Sequence, residues 1–529
     1  MSTEARSGRR SMTSLAAMAL VLVPSVAVAG VLRADDEVVP ARRAPSGDPG
    51  PVRSGLQIAE QSWATAPGGS IRLVLDIVRS DLVPPTTTTT TTTSSTTTTT
   101  TSTISPPTST TSTTVDVDAS PGDAASDVGT TTSSAPSTTI PPPAYRVQVR
   151  AHRRLETREQ AVAAVDGSHG LVIDLVELDL DESRLEQLED GTRRLVLEIP
   201  VTTGDPDADA LDIVESGVHP ITTQIRRDSI PIAEITTFVE LVAPNTRRGP
   251  FGIAAVAAVA DPGPDATMRD LAAAFDAIDD IGELADRIPH PVTFAIPPGV
   301  LAALSERAPE RLARFREQVD RDDTAIVLPS EPFDPSSAAA AGLTDDFATR
   351  MDLGESTIGS LLPDVPTTRD VWLVDERLTA EGAALLRDVG VELFVVPFDR
   401  YASWLDGSSR PMDPRYTDTT LLVGADLGIG DEVGAIVDLA IVDPVLDLVS
   451  DTDDRSPLER AVEIMTLTST TRLELGPDLR GMVLITPDLG VADPAVVTEL
   501  ARLSASHPEY SWQDASRVGA STNSFFVGG

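Results

Sequence analysis

Ile253-Ala-Ala-Val-Ala-Ala-Val-Ala260 is an unbroken apolar run that ends in Asp261-Pro-Gly263. It lacks the apolar–polar alternation of a half-exposed strand. A strand here is therefore covered on both faces, as strands of parallel sheets are. Met268–Ile288 then repeats apolar residues on a helical period, with Leu271, Phe275, Ile278 and Ile281 on one side. Val292–Ile296 reads as the next strand and Val300–Val319 as the next helix. Strands follow at Ala325–Leu328, Val371–Val374 and Leu393–Val396, with helices at Asp345–Leu362 and Ala380–Val389. Leu421–Val423 and Ala435–Ala440 read as further strands. Helix Leu458–Leu467, strand Met482–Ile485 and helix Pro494–Ser504 close the series. Strand–helix alternation of this kind predicts a parallel α/β domain over 247–516. An irregular (β/α) barrel suits the strand count, and an open doubly wound sheet is the alternative. Residues 517–529 read as a tail.

Upstream the period changes to that of strands. Leu56–Ala59 and Ile71–Val78 are joined through Pro67-Gly-Gly69, and Tyr145–Ala151 alternates cleanly. Leu171–Leu178, Leu195–Val201, Val218–Arg226 and Glu234–Val242 complete the set. Two strands alone cannot bury a face. The expectation is one β-sandwich over 51–246, interrupted between its second and third strands. The interruption is 84–143, almost wholly Thr, Ser and Pro, with the unbroken run Thr86–Thr93. Its apolar content is too low to offset the entropy of ordering, so a disordered loop is expected there. The composition suits an O-glycosylated stalk or a plain spacer.

Residues 1–29 have the layout of a secretory signal. Arg6, Arg9 and Arg10 precede an apolar run from Leu15 to Val28, and Ala27-Val-Ala29 with Gly30 forms a cleavage site between Ala29 and Gly30. Continued to Leu32, the same run is long enough for an uncleaved anchor. Residues 30–50 read as a linker. In both cases the remainder is expected outside the cytoplasmic membrane.

The chain has 529 residues, no cysteine, and a net charge of -40. Disulfides and thiolate metal sites are excluded. A polyanion of this size is repelled by nucleic acid and by anionic headgroups, so neither is an expected partner. Membrane contact is expected only through the N-terminal segment, if it is uncleaved.

In a (β/α) barrel, function sits where strands run into helices. Asp261, Glu331, Asp375, Glu376, Asp399, Asp443 and Asp488 follow expected strands in this way; the second strand ends instead in Pro297-Pro-Gly299. A protonated and an ionised carboxyl facing one cleft would hydrolyse glycosidic bonds. Asp261, Glu331, Asp375, Glu376, Asp399 and Asp488 are the candidates for that chemistry. The competing reading is turn and cap chemistry, for which Asp beside Pro or Gly is equally suited. Tyr401 and Trp404, beside Asp399, are candidates for a sugar platform. The five histidines are scattered, with no zinc-type pair among them. His290, just before the second strand, falls at the opposite face and reads as structural. No metal or cofactor is expected.

Several stretches carry a family likeness: Arg146-Val-Gln-Val-Arg-Ala-His-Arg-Arg-Leu-Glu-Thr-Arg158, Val292-Thr-Phe-Ala-Ile-Pro-Pro-Gly-Val-Leu301, Leu385-Leu-Arg-Asp-Val-Gly-Val-Glu-Leu-Phe-Val-Val396 and the region Glu459–Asp488. Across 50–510 the chain resembles a family of secreted actinobacterial cell-envelope proteins, a domain of unknown function often encoded beside the lipid II flippase. The resemblance implies a β-sandwich followed by a barrel like those of glycoside hydrolases and polysaccharide deacetylases. Two departures stand out. Members commonly carry a C-terminal membrane span, whereas this chain ends Asn523-Ser-Phe-Phe-Val-Gly-Gly529. A deacetylase needs an Asp-Asp pair and a His-x-x-x-His motif, but Asp261 is followed by Pro262 and the second strand by Pro-Pro-Gly. Deacetylation is therefore not implied. The expected function is non-catalytic binding of a cell-wall glycan or envelope protein, with metal-independent glycoside hydrolysis as the alternative.

Overall fold

The computed structural model describes residues 55–79, 144–181, 184–201, 209–243, 251–263, 265–375, 378–404, 418–421, 436–450, 455–475 and 481–520. The chain divides into Met1–Val52 and Arg53–Gly529, and every described residue belongs to the second unit. The signal segment, the 30–50 linker and the Thr-rich 84–143 insert lie outside the described residues. The architecture is multidomain α/β, with antiparallel sheets first and a curled half-barrel of parallel strands after them.

The antiparallel part comprises β1 (Leu56–Gln61), β2 (Ala64–Thr65), β3 (Ser70–Ile77), β4 (Tyr145–His152), α1 (Arg158–Val165), β5 (Val172–Asp179), β6 (Leu185–Gln187), β7 (Arg193–Pro200), β8 (Gly217–Arg227) and β9 (Ile230–Leu241). One sheet has the order β1-β3-β7-β6 and the other β2-β9-β8-β4-β5, with every pairing antiparallel except that of the two-residue β2, which runs parallel to β9. β3 and β7 pair from Ser70↔Pro200 to Ile77↔Arg193. This register places Leu73, Leu75, Leu195 and Leu197 in the core, all at most 1% exposed. Inward residues of both sheets, such as Leu73 and Val149, join one apolar cluster. β3 and β4 flank the Thr-rich insert in sequence and fall in different sheets. Neither α1 nor β6 is foreshadowed by the strand pattern.

The parallel part begins with β10 (Phe251–Ala258), α2 (Met268–Arg287), β11 (Val292–Ala295), α3 (Pro298–Arg307), α4 (Pro309–Gln318), β12 (Thr324–Ile326), α5 (Pro335–Ala341), α6 (Thr344–Leu361) and β13 (Thr367–Thr368). It continues with β14 (Val371–Leu373), α7 (Ala380–Asp388), β15 (Leu393–Pro397), α8 (Phe398–Trp404), β16 (Asp418–Leu421) and β17 (Ile436–Val442). A 3₁₀ turn Pro444–Val449, α9 (Pro457–Leu475), β18 (Gly481–Leu484), α10 (Pro494–Ala505), β19 (Tyr510–Trp512) and α11 (Ala515–Ala520) complete it.

β10 lies in the middle of its sheet, flanked by β11 and β18, and its residues are buried on both faces as its composition requires. α2 starts on a capping box, in which Thr267 and Asp270 satisfy each other's backbone N–H. Three sequence expectations change. Val300–Val319 is two helices, because Pro309 lacks the N–H that would continue the first and instead opens the second. Residues 517–520 continue α11. The strands form two sheets, β13-β12-β11-β10-β18 with β19 on β10, and β14-β15-β17-β16. Among the described residues no continuous ladder closes them into a barrel. β13 and β14 follow one another through Arg369 and Asp370, and β17 runs beside β18 without pairing to it. β16 is antiparallel to β17. Among the described residues, no helix is long and apolar enough to cross a membrane.

Candidate functional site

The acids at the C-terminal strand ends are spread over solvent. Asp261 is exposed and its Oδ1 accepts the Gly263 N–H at 2.8 Å, closing a turn. Glu331, 75% exposed, pairs with Arg350 at 3.1 Å. Asp375 is exposed, and its carbonyl accepts from Arg400 at 3.2 Å. Asp399 is exposed in the first turn of α8, where a carboxylate suits the helix dipole. Asp488 is exposed and accepts the Thr486 hydroxyl at 2.5 Å. Glu376 lies outside the described residues. A catalytic acid must be held protonated, which burial achieves and open water does not. The turn-and-cap reading accounts for Asp261, Asp399 and Asp488. Asp443 is buried, but it caps the 3₁₀ turn and pairs with Arg158 at 2.5 Å, which ties α1 to the parallel sheet. Tyr401 is 5% exposed and packs in an apolar cluster, so its ring offers no platform. The Trp404 side chain lies outside the described residues.

Among the described residues, two other clefts hold buried carboxylates. The larger, about 680 Å³, sits at the N-terminal ends of β11, β12 and β13. This is the face opposite the strand ends singled out by the sequence. Its floor carries an aromatic pair: His290 and Trp512 stack with centroids 5.0 Å apart and planes 7° apart. Both rings are half-buried. Trp512 is fixed by β19 pairing with β10 and by its indole N–H, which donates to Ser504 at 2.8 Å. Burial pushes the His290 imidazole below its usual pKa and keeps it neutral.

Carboxylates surround that pair. Asp320, Asp322, Asp323, Asp370 and Asp514 all line the cleft. Asp323 is 5% exposed, and burial pushes its carboxyl up to about 6. Its two oxygens accept the backbone N–H groups of Val292 at 2.8 Å and Asp320 at 2.9 Å, stitching the entry to β11 onto the loop before β12. With both oxygens so occupied, Asp323 is an organiser of the cleft wall. Asp514 is held by Arg517 at 3.0 Å. The open acceptors of Asp322 and Asp370, both exposed, remain for a ligand. The Asp320-Arg-Asp-Asp323 run and Trp512 are visible in sequence. Their meeting is not, because Trp512 reaches β11 only through the β19–β10 pairing.

The smaller cleft, about 490 Å³, lies where β8 and β9 meet the end of α9. Among the described residues, no group of three or more His, Asp or Glu side chains is arranged to hold a metal ion.

No family model matches the chain, and no curated protein does either. Among solved structures it is similar to a 4-alpha-glucanotransferase of Thermococcus litoralis, at 14% identity and a TM-score of 0.37, over 52% of this chain and 41% of that one. It thus spans less than half the length of that enzyme. A Mycobacterium smegmatis protein assigned as a polysaccharide deacetylase matches at 13% identity and a TM-score of 0.33, over 53% of this chain and 92% of that one. An allantoinase matches at 10% identity and a TM-score of 0.33, over 52% and 93%.

Proposed function

We propose that this is an exported cell-envelope protein whose curled parallel sheet binds a glycan without cleaving it. The two antiparallel sheets are read as one β-sandwich, and the Thr-rich insert as its tether across the wall. The observation that carries the reading is the stacked His290–Trp512 pair inside a carboxylate-lined cleft of about 680 Å³. A pyranose offers an apolar ring face for such a pair and hydroxyl donors for the flanking carboxylates. Binding is favoured over hydrolysis because the strand-end acids are exposed and Asp323 has both oxygens engaged. Envelope location rests on the signal-like segment around Arg6–Gly30.

The test is titration of the chain with N-acetylglucosamine oligomers by calorimetry, with chromatography of the mixture afterwards. Saturable binding that His290→Ala weakens, with oligomers recovered intact, supports the reading. Shortened oligomers, with turnover lost on substituting a single carboxylate, would establish hydrolysis instead.

A further inference from the structure

The smaller cleft carries a separate chemistry. Its rim includes Arg154, Glu156 and Ser216, and its floor Glu240, Arg472 and Glu509. The floor residues are 3%, 3% and 8% exposed, so all three charges are buried. Arg472 reaches from α9 between two carboxylates. One of its terminal nitrogens donates to Glu240 Oε1 at 2.6 Å and the other to Glu509 Oε2. His507 stands behind Glu240, its Nε2 3.3 Å from Oε1. His507 Nδ1 accepts the Glu509 backbone N–H at 3.1 Å, which turns Nε2 toward Glu240. Burial works to raise the Glu240 pKa, but the His507 hydrogen bond and the Arg472 charge outweigh it and hold the carboxyl down at about 2.

The charges therefore do not balance. Two carboxylates face one guanidinium, leaving one net negative charge in a buried setting, where uncompensated charge is costly. The valences do not balance either. Glu240 Oε2 and Glu509 Oε1 are buried and make no hydrogen bond among the described residues. Ser469 lies beside Glu240 and shares a hydrogen bond with the Tyr510 hydroxyl at 2.5 Å in which either oxygen can donate, so the two hydroxyls together leave at most one proton for the carboxylates. Each free oxygen is an acceptor only. The missing component is a small group with one positive charge and several N–H donors. A divalent metal does not suit, because the guanidinium already occupies the space between the carboxylates and would repel it. Arg154 at the rim is neutralised by Glu215 at 3.4 Å and Glu156 at 3.7 Å, so it does not bar a cation.

We infer that this cleft binds a primary ammonium group, which completes the hydrogen bonding of Glu240 and Glu509 and neutralises their surplus charge. The ammonium is carried by an amino sugar or by the side chain of a peptide. The inference is independent of the glycan reading, which concerns the larger cleft.

The experiment titrates the full chain at neutral pH with D-glucosamine and, separately, with Nα-acetyl-lysine methylamide. Their uncharged counterparts are N-acetylglucosamine and Nα-acetyl-norleucine methylamide, and all four are titrated against His290→Ala as well as the parent, so that sugar binding in the His290–Trp512 cleft is separated from binding here. One of the amines is expected to bind at least about tenfold more tightly than its counterpart, and which one does so identifies the carrier. Glu509→Gln should weaken that binding about tenfold or more. If Glu509→Gln fails to fold, Ser216→Arg decides: it sets a tethered guanidinium at the rim and should abolish amine binding while melting like the parent. Equal binding of amine and counterpart overturns the inference. So does millimolar amine without effect in both arms, or undiminished binding by a folded Ser216→Arg.

Discussion

Arg472→Met strands two buried carboxylates, and its cost can be worked through. In the parent, Arg472 is 3% exposed, donates to Glu240 at 2.6 Å and to Glu509, and lies 5.3 Å from the Tyr510 ring centre. Removing one partner of a buried ion pair costs about 3–5 kcal/mol, and here two partners are stranded, so the loss at pH 7 should be about 5 kcal/mol. The sign of its pH dependence follows from what remains. With Arg472 present, Glu240 sits at about 2 and stays ionised from pH 7 to pH 5. Without it, burial dominates and raises the folded pKa above the unfolded value. The variant then gains stability as it takes up a proton on acidification, at about 1.4 kcal/mol per pH unit per proton. The deficit should therefore shrink by about 1–3 kcal/mol between pH 7 and pH 5. Urea unfolding followed by tryptophan fluorescence reads this directly. Trp63 is fully buried, and its carbonyl accepts the Glu240 N–H at 2.8 Å, so it reports on the cluster. Adding Glu240→Gln and Glu509→Gln to Arg472→Met should recover much of the loss, since no charge is then left unpaired. A deficit below about 1 kcal/mol, or one unchanged between the two pH values, would refute the reasoning.

Asp323 provides a contrary pH signature. Its folded pKa of about 6 lies above the unfolded 3.8, so its stabilising contribution is present below pH 3.8 and is lost as pH rises through about 6. The difference is worth about 3 kcal/mol, and in urea titrations the parent minus Asp323→Asn stability should fall by up to that amount between pH 4 and pH 7. Gly354→Ala should destabilise by about 2–4 kcal/mol in the same assay, because a Cβ there would meet the Leu328 carbonyl oxygen at 1.9 Å and backbone must move. Replacing 84–143 with a short Gly/Ser linker should change stability by only about 1 kcal/mol, from loop closure alone. Deleting 30–143 should do far more, because it removes β1 and β3, whose pairing with β7 extends one antiparallel sheet. Equal thermal melting of the two truncations would mean that β1 and β3 contribute nothing to the folded body.

Much of the fold is legible in the residues. The unalternating Ile253–Ala260 run gives a central parallel strand, and the helical period of Met268–Ile288 gives α2 almost to the residue. Local chemistry could also have placed the Pro309 break, since a proline inside a helical pattern marks a boundary. The site is less legible. Acids after strands are conspicuous in sequence because turns and caps use the same residues as catalysis, and geometry shows Asp261 and Asp488 spent on turns. The two clefts depend on long-range meetings. Trp512 reaches His290 across more than two hundred positions, and Glu240 reaches Arg472 across 232. No spacing rule reports such encounters, although Asp320-Arg-Asp-Asp323 and a late Trp512 are unusual enough to note.

The central claim is that the His290–Trp512 cleft recognises a sugar ring and does not cut it. The most direct measurement is tryptophan fluorescence of the parent and of His290→Ala during titration with an N-acetylglucosamine oligomer, with the oligomer length checked at the end. The account predicts a saturable change in the parent, a response weakened at least about tenfold in a variant that melts like the parent, and an oligomer of unchanged length. An identical response from parent and variant, or a shortened oligomer, would contradict it.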